Sequence, residues 1–408
     1  MAFQNPDVLF SAKARLLRPS AIGEIHKLLE TPGMRSLAGA WPDPAVFQSR
    51  EIADIIVKLL AETEGHTLQY GSTKGYLELR QTLAEMIGKN DNIQCSPDQI
   101  LITSGSAQGL DIACRIFLDP DDIVLVGLPS YFGGTGTIGS HEAKNIGIPV
   151  DEKGIQTELM EEKLVTLQKA GKTVKAVYVI PNFQNPTGVT LTLNRRKKLL
   201  ELAARYQFMI FEDDPYGELR FDGEHLPSLM AIDETNCVVH FRSMSKTFSP
   251  GMRIAWTAGP ADVIAKMELA KQFADIATNT LSQFVLLEMI RSGVFHKGIE
   301  KNREHYRNKR DLMLKLVEKH FPQQVTWTRP SGGFFIFITL PEELDADELL
   351  MDALKNKIAF VSGPSFFVDG SGKNTFRLSY SQASTEDIQA AIPSLADLIK
   401  KRLTSENC

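Results

Sequence analysis

Six short apolar runs in the middle of the chain, at 100–103, 123–126, 176–180, 208–211, 237–241 and 254–257, constrain the fold most strongly. Within them the apolar residues are continuous rather than alternating, the pattern of strands buried on both faces. Helix-period patterns at 108–117, 194–206 and 261–272 separate several of these runs. Short buried strands alternating with helices predict an α/β chain, with a mostly parallel central sheet in a large domain and helices on each side. Ligands of such sheets bind beyond the C-terminal ends of the strands. The chemistry-bearing residues are therefore expected just after the apolar runs.

Past residue 290 the character changes. A charged helix is expected at 296–320, then a strand at 334–338, a helix at 345–356 and strands at 359–362 and 375–379. A last helix opens on Ser384 with Asp387 three residues on, a capping box. Its apolar face is Ile388, Ile392, Leu395 and Ile399 at helical spacing. This block predicts a smaller α+β C-terminal domain. A chain of 408 residues exceeds what one core usually supports. The expected division is an N-terminal segment 1–44 contributing to the small domain and the active-site cleft, a large domain 45–290 and a small domain 291–408.

Composition removes several function classes. The net charge of −5 suggests neither nucleic acid nor an anionic membrane as partner. No apolar run approaches the roughly 18 residues that would span a bilayer, and the first residues lack a signal-peptide pattern. Cys95, Cys114, Cys237 and Cys408 have no metal-ligand spacing, so no metal site is expected. They read as reduced thiols of a cytoplasmic protein.

Four strand ends carry polar residues. After 100–103 comes SGSAQG (104–109) and a helix start, an arrangement that can hold an anion on free N–H groups and the helix dipole. The same residues also make an ordinary strand-to-helix turn. After 176–180 comes PNFQNPTG (181–188), a rigid loop whose Asn185-Pro186 bond is a candidate for cis. After 208–211 stand Glu212, Asp213 and Asp214, costly at a buried strand end unless paired. A solvated loop or a metal site are the other readings, and no His or EF-hand spacing supports the metal. After 237–241 stand Ser243, Ser245 and Lys246, with Arg253 beyond a Pro250-Gly251 turn. A surface lysine is the commonest fate of any Lys. A Lys in a cleft, however, can serve as a nucleophilic amine or Schiff-base partner. Two anion-holding elements, a buried carboxylate and an amine together fit pyridoxal 5'-phosphate, which needs a phosphate cradle, a lysine for its aldehyde and a carboxylate for its ring nitrogen.

The ordered stretches LQYGSTKGYLELR (68–80), ITSGSAQGLD (102–111), LPSYFG (128–133), IPNFQNPTG (180–188), FEDDPYGELRF (211–221), SMSKTFSPGMRIAW (243–256), RPSGGFFIF (329–337) and TFRLSYS (375–381) carry a resemblance. From about Arg18 to the last helix, the chain resembles fold type I pyridoxal-phosphate enzymes of the class I/II aminotransferase family. It is most similar to the subgroup of 2-aminoadipate and kynurenine aminotransferases and to the catalytic half of MocR-type regulators. The resemblance implies that Lys246 carries the cofactor and moves the substrate proton, and that Asp213 pairs with the ring nitrogen. Asn185 and Tyr216 would bond the ring oxygen, and Tyr131 would stack on the ring. Ser106, Ala107, Gln108, Ser243, Ser245 and Arg253 would hold the phosphate. Tyr70 would reach the phosphate of a neighbouring subunit, implying a homodimer with shared sites. Arg377 would bind the substrate α-carboxylate; read alone, it is a strand arginine facing solvent. The implied reaction is ping-pong transfer of an amino group from an L-amino acid to a 2-oxo acid such as 2-oxoglutarate.

Departures from the subgroup bear on the substrate. Gly23 stands where an Arg usually engages a distal carboxylate, although Arg18 one turn upstream offers a charge. Gly39-Ala40-Trp41-Pro42 replaces the usual GGLP, and Gly127 replaces an acidic residue. Gly39 and Trp41 are thus expected at the substrate pocket, and an apolar, aromatic or unusual amino donor is expected rather than 2-aminoadipate. Other fold type I reactions (decarboxylation, elimination, cyclisation, oxidation) share the same first contacts and stay open. GTGTIG at 134–139 matches a dinucleotide fingerprint, but sits too far past its strand. A DNA-binding regulator is disfavoured, because no basic recognition helix precedes the large domain.

Overall fold

The computed structural model describes residues 9–16 and 32–405. A short strand, β1 (Arg35–Ser36), precedes the large sheet. That sheet contains β2 (Ile100–Thr103), β3 (Ile123–Leu128), β4 (Lys144–Asp151), β5 (Gly154–Ile155), β6 (Val174–Val179), β7 (Met209–Asp213), β8 (Val238–Ser243) and β9 (Ala255–Ala258). Their order is β2-β9-β8-β7-β6-β3-β4-β5. The centre is parallel: β4 to β3, β3 to β6, β6 to β7 and β7 to β8.

Both faces of these strands are apolar, as their continuous runs predict. On β6, Ala176 and Tyr178 enter one hydrophobic layer, while Val177 enters the other. On β3, Val124 and Val126 face the first layer and Ile123 and Leu125 the second. Helices Ser106–Phe117, Leu193–Tyr206 and Ala261–Gln272 supply the covering.

The margins depart from the parallel expectation. β9 is antiparallel to both β2 and β8, and β5 is antiparallel to β4. A parallel return from β8 would need a crossover of a dozen or more residues, usually a helix. Instead a 3₁₀ turn at Pro250–Met252, followed by Arg253 in the left-handed region (φ 48°), folds the chain straight back. The strand after residue 208 also runs further than expected, so Glu212 and Asp213 lie inside β7 rather than in a loop.

Later strands are β10 (Thr326–Trp327), β11 (Phe335–Thr339), β12 (Ile358–Ala359), β13 (Val361–Ser362) and β14 (Thr375–Ser379). Four of them form an antiparallel sheet in the order β10-β11-β14-β13. The single strand expected at 359–362 is two: β12 pairs with β1, and β13 pairs with β14. The charged helix is Val294–His320. The last helix is Thr385–Ser405, where the Asp387 N–H donates to Ser384 Oγ at 3.0 Å.

The segment around β1 is strapped down at several points. Leu37 N–H donates to Ala359 O at 2.7 Å, and Ser379 N–H donates to Leu37 O at 2.8 Å. Asp43 N–H donates to Tyr306 Oη at 3.0 Å, and Lys309 Nζ reaches Asp43 Oδ2 at 2.5 Å. These bonds hold residues 37–43 against the second sheet and the long helix, directly beside the ends of the large sheet's strands. Among the described residues, no helix is long and apolar enough to cross a membrane.

Candidate active site

A cavity of about 160 Å3 lies at the C-terminal ends of the central strands. One wall is the start of helix Ser106–Phe117, where Gly105, Ser106 and Ala107 line the space. The helix's first N–H groups lack intrahelical acceptors and carry the positive end of its dipole, so an anion is favoured here. Gly105 has φ 102°, and a Cβ there would run into the Arg253 guanidinium. Arg253 Nη2 donates to Ser104 O at 3.1 Å, and Nη1 lies 3.5 Å from Ser245 Oγ. Ser243 and Ser245 line the same corner. The turn past Pro250-Gly251 thus brings Arg253 back to the helix start.

Gln108 stands apart from the other expected anion ligands. Its side chain accepts from Ser104 N–H at 2.8 Å and donates to Asp275 Oδ2 at 2.7 Å, so it braces the cradle from behind. Tyr70 is also outside the cavity and is 79% exposed.

The three carboxylates at the end of β7 separate into distinct environments. Glu212 accepts from Leu229 N–H (2.7 Å), Met230 N–H (3.0 Å) and His240 Nδ1 (2.8 Å) below the sheet. Asp214 is held by Arg242 Nη1 (2.7 Å), Asn182 Nδ2 (3.1 Å) and Gly217 N–H (2.9 Å). Asp213 alone lines the cavity. Its Oδ2 accepts from Tyr178 Oη at 2.8 Å, while its buried Oδ1 has no partner. Burial pushes the Asp213 carboxyl up to about 6, against the Tyr178 hydrogen bond that lowers it. The solvated-loop and metal readings of this triplet both fall, since each neighbour is paired. Among the described residues, no cluster could hold a metal ion.

Lys246 follows β8 and reaches across the cavity, its Nζ donating to Ala40 O at 2.9 Å. Burial, reinforced by the nearby Arg377 and Arg253 charges, lowers its amine to about 8. Tyr131, Asn185 and Tyr216 close the remaining sides. The Asn185-Pro186 bond is cis, as is Leu128-Pro129. Tyr216 is packed edge-on against Phe334 and Phe335, each at 5.5 Å between ring centroids, and burial raises its phenol.

Arg377, on β14, is the largest surprise. It is 1% exposed rather than facing solvent. Its guanidinium lies over Phe335 at 4.4 Å and Phe366 at 5.1 Å. Nη1 donates to Asn185 Oδ1 at 2.8 Å and Nη2 to Ala38 O at 2.6 Å. Among the described residues no carboxylate pairs with it, and burial lowers it to about 10. A buried guanidinium with only neutral partners is costly unless an anionic ligand completes it.

Gly39 and Trp41 belong to the strap beside β1. A Cβ on Gly39 would sit 2.6 Å from the Trp41 ring and 2.8 Å from Gln382 Oε1, so the indole folds back over the glycine. Trp41 packs on the cluster that contains Ala38, Phe337 and Phe366. Its backbone carbonyl accepts from Ser381 Oγ at 2.7 Å. Gly23 and Arg18 lie outside the described residues.

Several contributors carried no sequence signal. Ala38 and Ala40 act through backbone carbonyls. Tyr178 sits in an apolar run and reads as core. Phe335 and Phe366 read as ordinary strand and turn aromatics.

The residues present fit pyridoxal phosphate. An anion cradle, an unpartnered buried carboxylate oxygen and a lysine amine of lowered pKa converge on one small cavity. GTGTIG, by contrast, lies inside helix Phe132–Ser140, so its glycines form no strand-to-helix turn for a dinucleotide.

The family described as "Aminotransferase class I and II" matches residues 42–395. An aromatic-amino-acid aminotransferase of Thermococcus litoralis is 42% identical over 97% of this chain and 94% of its own. A 2-aminoadipate transaminase of Thermus thermophilus is 36% identical over 96% of each chain. The crystal structure of Pyrococcus horikoshii kynurenine aminotransferase superposes with a TM-score of 0.94, at 42% identity, covering 97% of this chain and 98% of that one.

Proposed function

The chain belongs to the class I and II aminotransferases, and on that premise we propose that it moves the amino group of an apolar or aromatic L-amino acid to a 2-oxo acid such as 2-oxoglutarate. It is a pyridoxal-phosphate-dependent aminotransferase. When bound, that cofactor supplies an aldehyde carbon to carry the amino group and a ring to take up electrons as the α-proton leaves.

The roles of individual residues are our reading of the geometry. Asp213 holds a proton on the ring nitrogen through its free Oδ1. Asn185, its Oδ1 occupied by Arg377, offers its amide N–H to the ring oxygen together with the Tyr216 hydroxyl. Tyr131 covers the ring face. The start of helix Ser106–Phe117, Ser243, Ser245 and Arg253 bind the phosphate, with Gln108 bracing them. Lys246, neutral in a useful fraction near pH 8, takes and returns the substrate's α-proton. The carrying observation is Arg377: a buried, planar donor fork without an acid partner suits a substrate α-carboxylate.

The donor preference rests on the aromatic cluster beside Arg377. Phe366, Phe337 and Trp41 form an apolar wall there, and the names of relatives include aromatic-amino-acid and kynurenine aminotransferases. The test is a donor panel read as the cofactor's absorbance change in half-reactions. Aromatic donors are expected to lead, and a wide margin for 2-aminoadipate would overturn the preference. Trp41→Leu should cost aromatic donors about two- to tenfold in kcat/KM, the worth of one aromatic contact, with aliphatic donors little changed.

We further infer a cytoplasmic homodimer with shared sites, and the three-part division at residues 44 and 290. Exposed Leu68 (70%), Tyr70 (79%) and Phe273 (89%) support an interface near the anion cradle. Thr280 Oγ1 links that region to Gln69 O at 2.8 Å. The cysteines Cys95, Cys114 and Cys237 are free, in keeping with a reducing compartment. Light scattering tests the dimer, and hybrids of Tyr70→Phe with Lys246→Ala chains test the sharing.

A further inference from the structure

The GTGTIG stretch at 134–139 is helical rather than a strand-to-helix turn, yet its Gly134 has a specific neighbour. A Cβ on Gly134 would lie 2.5 Å from Tyr178 Cζ and 2.6 Å from Tyr178 Oη. The glycine therefore admits the Tyr178 ring between helix Phe132–Ser140 and the sheet. Tyr178 is 0% exposed and sits on β6, whose Tyr178 pairs in register with Phe211 of β7. Asp213 is two residues beyond Phe211, so it projects from the same face of the sheet. The Tyr178 hydroxyl consequently meets Asp213 Oδ2 at 2.8 Å, from the protein side.

That contact is the one side-chain hydrogen bond to Asp213 among the described residues. The neighbouring charges are spoken for: Asp214 by Arg242, and His240 by Glu212. Lys246, Tyr131 and Tyr216 line the cavity with Asp213. Without that donor the carboxylate could swing about its Cβ–Cγ bond. Anchoring Oδ2 removes that freedom and leaves Oδ1 presented to the cavity.

We propose that Tyr178 is a positioning residue of the cofactor site, fixing Asp213 so that Oδ1 faces the ring nitrogen, and that Gly134 is required because it makes room for the Tyr178 ring. This rests on the reading of Asp213 as partner of the ring nitrogen. The hydrogen bond also opposes the rise that burial imposes on the Asp213 carboxyl, and so favours its ionised form.

The test is Tyr178→Phe, which removes the hydroxyl and keeps the ring volume. Apoenzyme is titrated with pyridoxal phosphate, and the bound cofactor's absorbance is followed against pH. Loss of one hydrogen bond to a buried charge should weaken cofactor affinity about tenfold or more. The pH midpoint of the absorbance should move, and kcat should fall with the donor KM unchanged. Gly134→Ala, which displaces the ring but keeps the hydroxyl, should move the same quantities in the same direction. Wild-type affinity and pH midpoint in Tyr178→Phe would overturn the proposal, as would a loss of thermal stability with no spectral change. Asp213→Ala separates the two levels. If it leaves cofactor affinity and spectrum intact, the Asp213 reading itself fails. If it abolishes them while Tyr178→Phe changes nothing, only the positioning role fails.

Discussion

Lys246→Ala is expected to abolish transamination, by at least about 10⁴-fold, and to remove the borohydride-reducible link between protein and cofactor. The side chain is the only amine lining the cavity among the described residues, and its Nζ is already held there by Ala40 O at 2.9 Å. The neighbouring groups are engaged otherwise: Arg253 donates to Ser104 O, Arg377 to Asn185 Oδ1 and Ala38 O, and Asp213 accepts from Tyr178. Steady-state assays with varied donors and reduction followed by mass measurement check both parts. A mutant retaining either property would break the assignment. The lowered amine, at about 8, gives a second expectation. A protonated amine cannot attack the aldehyde, so cofactor attachment to apoenzyme should speed up with pH and level off above about 8. An ordinary lysine would keep accelerating beyond pH 10. At neutral pH the lowered value yields about two orders of magnitude more neutral amine than an unperturbed lysine.

Arg377→Leu is expected to lower kcat/KM for every α-amino acid by roughly 10²–10³-fold. That corresponds to about 3–4 kcal/mol, the loss of two charge-assisted hydrogen bonds to a desolvated carboxylate. The donor KM should rise most, while simple amines lacking a carboxylate should lose little. Arg377→Lys should rescue only part. A point charge on a flexible stem can neither form the two-pronged contact nor lie flat between Phe335 and Phe366. Equal losses for amino acids and carboxylate-free amines would remove Arg377 from the carboxylate role.

The strand ends made most of the site legible. Buried parallel strands need continuous apolar runs, so the polar residues that end them stand out, and Asp213, Lys246 and Asn185 all stand there and line the same cavity. The anion cradle was legible because every helix start leaves its first N–H groups unpaired, and small residues such as Gly105 let an anion approach them. Arg377 escaped on its residues alone, because TFRLS alternates polar and apolar residues as a half-exposed strand does, whereas the fold buries β14 along its whole length. Only the family resemblance singled it out. Tyr178 escaped for a related reason: within a fully buried strand an aromatic hydroxyl looks like core. The antiparallel course of β9 depends on a turn conformation at Arg253 that residue type does not announce. Ala38 and Ala40 were invisible in principle, since any side chain can present a carbonyl.

That last point changes how the strap beside β1 behaves as a piece of molecular design. Its main chain grips two basic side chains of the site, Ala38 O holding Arg377 and Ala40 O holding Lys246. The Trp41 ring folds back over Gly39 onto the cluster of Ala38, Phe337 and Phe366, which is the wall proposed to meet the donor side chain. In the proposed mechanism, these five residues would thus serve the chemistry through their backbone and selectivity through the Trp41 side chain. Exchanging Trp41 alone should retune substrate choice while both carbonyl contacts stay in place, which makes that one position a handle for directed evolution.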